Sequence, residues 1–372
     1  MKIVTIFSFH LYFQHRRGSM HWICDALRRN GVHVRFITCD FSLLTKLKGD
    51  RRTEFGEVRG INSLEKVDST LSLGVVSSLW HPVGRQRSFV GRLLNGLTSW
   101  YPGPYAPVVR NFSKGSDLVI LESCGGLMML DTIRAACNAP VVYRVSDNLA
   151  VVRPVPSLLD AETRAIHSVD AVSLASEHLA RSLGVGSNVQ FDSMGLDKSA
   201  FDAATVSPYT ANGRPKVVIS GSSGLDTQSL RLAAEALPDF DFIQFGTAVG
   251  IPELPNVKLM GERPFTELVP WVKFADVGFA PYLVKPGFEY QAEHSNRLLQ
   301  YTYCSLPSVV PKELASESKP HFIGYEACDT DSLVNAIRGG LAFDRSQVPA
   351  KSVHDWDQLA HRLTQVCSHA NP

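Results

Sequence analysis

The chain has 372 residues, 44% of them hydrophobic and 20% charged, with a formal net charge of +1. That length exceeds one ordinary core and predicts two domains, and the composition is that of a soluble globular protein. No run approaches the ~20 apolar residues of a membrane-spanning helix, so any membrane contact is expected to be peripheral. Met1-Lys2 leads straight into Ile3-Val4-Thr5-Ile6-Phe7, a stretch too short for a secretory signal.

The near-neutral total conceals a division. Residues 1–153 hold 20 Lys+Arg against 11 Asp+Glu, a surplus of +9, whereas the remainder holds 17 against 25, or −8. A basic first half points to an anionic partner, whether a phosphate-bearing substrate, an anionic membrane surface or nucleic acid. The plainer reading is an uneven scatter of solvated charge. The seven cysteines (Cys24, Cys39, Cys124, Cys137, Cys304, Cys328 and Cys367) form no CxxC pair and no metal-ligand spacing. They read as reduced, buried small hydrophobes of a cytosolic protein.

In chain order, Lys2–Phe9 is predicted as a buried strand, followed by a polar loop containing Gln14-His15-Arg16-Arg17-Gly18. Met20, Ile23, Cys24 and Leu27 recur at helical spacing, with Gly31 as the stop signal, and Val32–Thr38 is the second strand. This opens a Rossmann-like domain. Phe9–Gly18 holds a single glycine, so no GxGxxG dinucleotide site is expected. A basic cluster follows at Lys46–Arg52. The segment Arg85–Tyr101 mixes Arg with Phe, Leu, Trp and Tyr; it reads either as a surface for anionic lipid or as a helix with a buried apolar face. Asp117–Glu122 is a buried strand ending in a carboxylate, and Gly125-Gly126 after it allow close backbone approach.

Val141-Val142-Tyr143-Arg144-Val145 has the composition of a strand buried on both faces, and it gives way to Ser146-Asp147-Asn148. Ligands of open α/β sheets bind beyond the carboxyl ends of the strands. Asp147 is therefore a candidate catalytic base, with a helix cap as the alternative. The polar stretch Ser207–Pro215 is the predicted linker, after which the alternation restarts: strand Lys216–Ser220, Gly221-Ser222-Ser223-Gly224, helix Thr227–Leu237, strand Phe240–Phe245. Further strands are predicted at Val257–Leu259, Val277–Ala280 and Ser308–Val310, and helices at Asn296–Cys304 and Trp356–Val366. The expected domains are 1–206 and 207–350, with 351–372 a terminal helix packing back on the first. The Gly221–Gly224 turn, Glu262, Tyr282 and the Ser295–Gln300 helix start fall at strand ends or helix starts and should share one rim. Such a turn can cradle phosphate at a helix N-terminus, with a plain tight turn as the default reading.

These residues carry a resemblance. The order and spacing of Arg16-Arg17 with His21, Leu47-Lys48-Gly49-Asp50, Val142-Tyr143-Arg144 with Ser146-Asp147, Gly195-Leu196-Asp197, Gly261-Glu262, Ala280-Pro281-Tyr282 and Leu298-Leu299-Gln300-Tyr301 resemble the GumK-like bacterial glucuronosyltransferases of xanthan-type exopolysaccharide synthesis. The resemblance implies an α/β GT-B fold, two Rossmann-like domains facing a central cleft, and inverting, metal-independent transfer. It places Asp147 on the catalytic base, Arg297 and Gln300 with Tyr282 on the donor's pyrophosphate, and Ser222, Ser223, Glu262 and Arg263 on the nucleotide. The family has Lys at Arg297 and Met at Ser223 and Arg263. Asp197 falls in a Gly-x-Asp turn read as structural.

The implied reaction moves a sugar, glucuronate first, from a UDP-sugar to a polyprenyl-diphosphate-linked oligosaccharide, with no cofactor beyond the donor and no metal ligand. The implied setting is the cytoplasmic side of an anionic inner-membrane surface. Two other readings stay open: an isomerase or epimerase of the nucleotide sugar, for which Glu122 would be a second acid/base group, and a non-catalytic nucleotide-sugar-binding protein. Nucleic acid is not an expected partner, because the basic residues fit no recognisable module.

Overall fold

The structure, a computed structural model, describes residues 1–14, 17–43, 57–82, 100–185, 188–247, 250, 251, 253–284, 290 and 295–366. Arg16, the basic clusters at 46–52 and most of the segment 85–101, including the Leu47-Lys48-Gly49-Asp50 motif, lie outside them. The chain forms two compact units, Met1–Ser193 with Trp356–Pro372, and Met194–Asp355. Among the described residues no helix is long and apolar enough to cross a membrane.

The first unit is built on eight strands: β1 (Ile3–Ser8), β2 (His33–Ser42), β3 (Glu65–Lys66), β4 (Leu71–Ser78), β5 (Leu118–Glu122), β6 (Val141–Val145), β7 (Ala171–Leu174) and β8 (Val189–Phe191). Their order in the sheet is β3-β4-β2-β1-β5-β6-β7-β8, all pairs parallel except β3 with β4. The central strands are apolar on both faces because helices cover both sides: β5 and β6 are buried at every position. The order reverses between β1 and β5, which makes their carboxyl ends the switch point where such sheets bind ligands.

The terminal helix, Trp356–Thr364, closes this unit. Trp356 stacks on Trp22 at 6.1 Å, and Asp357 pairs with Arg29 at 3.0 Å. Arg362 pairs with the fully buried Asp192, whose carboxylate also accepts from Ser173 Oγ at 2.5 Å. Arg144, itself without exposure, donates to Ser173 Oγ and to the Asp192 carbonyl. This network ties the helix to the strand that leads to Asp147.

The second unit has six parallel strands, β9 (Lys216–Ser220), β10 (Asp241–Phe245), β11 (Val257–Gly261), β12 (Val277–Phe279), β13 (Ser308–Pro311) and β14 (Phe322–Tyr325), in the order β11-β10-β9-β12-β13-β14. Its switch point lies between β9 and β12. Residues 194–206, counted with the first half from sequence, pack here: Leu196 and Phe201 join the core around Val218, Val272 and Tyr301. The chain therefore changes unit just after β8, and not at the polar stretch 207–215. Asp197 caps the Lys198–Ala203 helix by accepting Ala200 N–H and Ser199 Oγ–H, a structural role.

Candidate active site

In the second unit the predicted donor residues gather at the switch point. β9 ends at Ser220, and the chain turns at Gly221 with φ +105, a conformation open to glycine. The loop returns to pair Leu225 with Tyr282, three residues beyond the end of β12. Asp226 accepts the Gln228 and Ser229 N–H groups and caps the Thr227–Ala236 helix. The helix N-terminus is thus already occupied by a carboxylate, so a phosphate at this turn would be held by the loop and by side chains, not by the helix end as the sequence suggests.

Those side chains come from one short helix, Asn296–Tyr303, capped by Ser295, whose Oγ accepts Leu298 N–H at 3.3 Å. Arg297 and Gln300 are three residues apart and share a face. Arg297 is only 4% exposed. Its Nε donates to Ser220 O at 3.0 Å and its Nη2 to Gly221 O at 2.8 Å, and its guanidinium lies 4.5 Å from the centre of the Tyr282 ring. The Tyr282 hydroxyl bonds Ser295 Oγ. Backbone carbonyls and a ring face therefore fix the cation. Among the described residues, buried Nη1 has no hydrogen-bond partner, and neither does buried Gln300 Oε1.

Leaving a buried charged donor unspent is costly unless something else takes it. An anion beside the Gly221–Ser223 loop is what that donor set fits. Guanidinium supplies a planar fork for phosphate, a point in favour of Arg where the family has Lys.

Beyond the loop, Ser222 Oγ accepts Thr247 N–H at 3.2 Å, and Thr247 Oγ1 donates to Glu262 Oε1 at 3.2 Å. Ser222, Thr247 and Glu262 form a chain of polar groups across the ends of β9, β10 and β11. Ser223 is exposed in the same loop. Arg263 follows Glu262; its Nε donates to Met260 O at 3.0 Å, and Glu267 lies 3.8 Å from its Nη1. Thr247 and Tyr301 escaped the sequence reading of roles. Thr247 gave no signal beyond following a glycine at a strand end. Tyr301 stood in a quoted motif, but only the fold shows its hydroxyl accepting Ser220 N–H at 2.9 Å beneath the loop.

In the first unit, Asp147 leaves β6 partly exposed. The cap of the following Leu149–Val152 helix is Asn148, whose side chain accepts Ala150 N–H at 3.1 Å. Capping, the alternative to catalysis, thus falls to its neighbour. On the same rim, Glu122 at the end of β5 accepts Ser8 Oγ–H at 2.5 Å and Phe9 N–H at 3.1 Å. Fully buried Asp40 pairs with Arg153 at 2.7 Å and accepts Gly125 N–H at 2.9 Å. Burial alone would raise the Asp40 pKa, but Arg153, His81 and the Gly125 N–H together hold it below the ordinary carboxylate value.

Comparison with known proteins gives the same direction. Residues 6–175 match the family model of the glucuronosyltransferase GumK N-terminal domain. Over 365 residues the chain is 28% identical to the UDP-glucuronate:glycolipid 2-beta-glucuronosyltransferase of Xanthomonas campestris pv. campestris, covering 96% of this chain and 88% of that protein. Among solved structures, sucrose-phosphate synthase of Thermosynechococcus elongatus superposes with a TM-score of 0.62 at 13% identity, over 99% of both chains. Anabaena HepE (Alr3699), solved with UDP and glucose, gives 0.61 at 14% identity, over 99% of this chain and 100% of that one. At such identities the two structures establish the fold alone. The chain has the GT-B glycosyltransferase fold, and its residues 6–175 are similar to the GumK N-terminal domain.

Proposed function

We propose that the chain is an inverting glycosyltransferase that moves glucuronate from UDP-glucuronate to a polyprenyl-diphosphate-linked oligosaccharide. The observation that carries the donor half is Arg297, buried, fixed by backbone carbonyls and left with an unspent Nη1 at the switch point of the second unit. In this reading Arg297, Gln300 and Tyr282 hold the pyrophosphate, and Ser222, Ser223 and Glu262 line the nucleoside. The acceptor hydroxyl attacks the anomeric carbon from the face opposite UDP. Asp147 takes the hydroxyl proton as the bond forms. The bond from carbon to the UDP oxygen breaks, the configuration inverts, and the charge developing on the diphosphate is stabilised by Arg297.

The name of the Xanthomonas relative supports both the donor and a glycolipid acceptor. The surplus of +9 over residues 1–153 supports a lipid diphosphate and an anionic inner-membrane surface on the cytoplasmic side as partners. The test is incubation of the full chain with UDP-glucuronate and polyprenyl-diphosphate oligosaccharides, with release of UDP and the anomeric configuration of the product both read. Asp147→Asn is expected to lower kcat by about 10²–10⁴ with unchanged UDP affinity. A variant that keeps the wild-type rate refutes the role of Asp147. A rearranged nucleotide sugar with no UDP released would favour the isomerase reading.

A further inference from the structure

The switch point of the first unit, between β1 and β5, is flanked by two side chains that the mechanism above does not use. Glu122 closes β5 with its side chain 8% exposed, and His10 lies two residues beyond β1, 30% exposed, with its Nε2 3.9 Å from Glu122 Oε1. Their hydrogen-bond directions are set by neighbours. The Gln14 carbonyl oxygen accepts Leu11 N–H at 3.2 Å, so the Gln14 amide nitrogen faces His10 Nδ1 at 3.0 Å and donates to it. With Nδ1 accepting, Nε2 is the ring nitrogen left to donate, and it faces Glu122. On the other side, Ser8 Oγ and Phe9 N–H both bond Glu122 Oε2, which leaves Oε1 facing the histidine.

The result is a donor and an anionic acceptor held 3.9 Å apart, too far to satisfy each other. One hydroxyl group satisfies both: it accepts from Nε2–H and donates to Oε1. Glu122 is in register with Arg144 on the adjacent strand β6, about 4.8 Å away across the sheet, and Asp147 lies three residues beyond Arg144, just past the end of β6 on the same rim.

We propose that His10 and Glu122 clamp one hydroxyl of the acceptor's terminal hexopyranose and so position its reacting hydroxyl at Asp147. This rests on the transferase reading above, and the test separates the two. Methyl gluco-, galacto- and mannopyranosides, with their singly deoxygenated analogues, are titrated into the full chain at saturating UDP by ligand-observed NMR. UDP itself is titrated by calorimetry. A wild-type chain that binds one glycoside, and binds it about 10- to 100-fold more weakly on removal of one hydroxyl, is expected. Glu122→Gln should weaken that glycoside about 10- to 100-fold, as for a hydrogen bond to a charged group. His10→Ala, in a partly exposed loop, guards against misfolding of the buried variant and should weaken it about 3- to 10-fold. The deoxy analogue that loses the clamp should bind wild type and both variants alike.

Glycoside binding equal in all three proteins would mean that a water bridges the gap, and it overturns the proposal. So does the absence of glycoside binding to wild type while UDP still binds. Failure of UDP to bind any of the three would instead refute the transferase reading.

Discussion

The donor loop rests on one hydroxyl, and its removal is a defined perturbation. Tyr301 is fully buried in the core of the second unit, with its pKa pushed up to about 12 by burial, so it stays protonated at any working pH. Its oxygen accepts Ser220 N–H at 2.9 Å and its proton is shared between Val218 O at 2.9 Å and Phe279 O at 3.2 Å. The β9–β12 pairing ends at Val218 with Gly278, so the hydroxyl takes over where the ladder stops. Tyr301→Phe keeps the ring and its packing but removes that acceptor. A buried donor left unsatisfied costs about 1–3 kcal/mol, and each kcal/mol lowers Tm by about 2–4 °C in a unit of this size. Calorimetric unfolding of the full chain should show the transition of the second unit lowered by that amount. The same variant should bind UDP more weakly, because Ser220 O and Gly221 O also fix Arg297. A variant with wild-type Tm and UDP affinity would refute the claim that this hydroxyl supports the loop.

Two further outcomes follow from close contacts and buried charge. A Cβ on Gly246, at φ +95, would lie 2.8 Å from Ser222 Oγ and 2.9 Å from its backbone nitrogen, so Gly246→Ala should shift the donor loop and weaken UDP binding about tenfold or more, read by calorimetry; unchanged affinity counts against Ser222 as a nucleotide contact. Asp40 has a folded pKa below its unfolded value of about 3.9. Its stabilisation is therefore complete above that value and lost as pH falls through the lower folded value. Acid denaturation of Asp40→Asn should accordingly be less steep below pH ~4 than that of wild type, and equal steepness contradicts the assignment.

Much of this architecture was legible in the sequence because the buried strands are continuous apolar runs. Ile3–Ser8, Leu118–Glu122, Val141–Val145 and Lys216–Ser220 each end at a polar or charged residue where the sheet meets its rim. Asp147 and the Gly221–Gly224 turn could be placed at strand ends on that ground alone. Strand order was not legible, since it depends on long-range pairing, and with it went the switch points that decide which rim residues meet. The state of the helix end was not legible either: Asp226, two residues after Gly224, is itself an N-cap and accepts the Gln228 and Ser229 N–H groups. Charge alone could not tell buried Arg297 from half-exposed Arg263; burial and the carbonyls that hold Arg297 are features of the fold. The transfer of residues 194–206 to the second unit turned on Leu196 and Phe201, two apolar side chains in a stretch whose polarity suggested nothing.

The central claim is that Arg297 holds the donor's diphosphate. Calorimetric titration of UDP, UDP-glucuronate and UDP-glucose into wild type, Arg297→Ala and Arg297→Lys tests it most directly. Saturable binding to wild type is expected, tightest for UDP-glucuronate, weakened about 10- to 100-fold in Arg297→Ala and weakened less in Arg297→Lys, which keeps the charge but loses the fork to Ser220 O and Gly221 O. Equal UDP affinity in wild type and Arg297→Ala, or no uridine nucleotide bound by wild type, would contradict it.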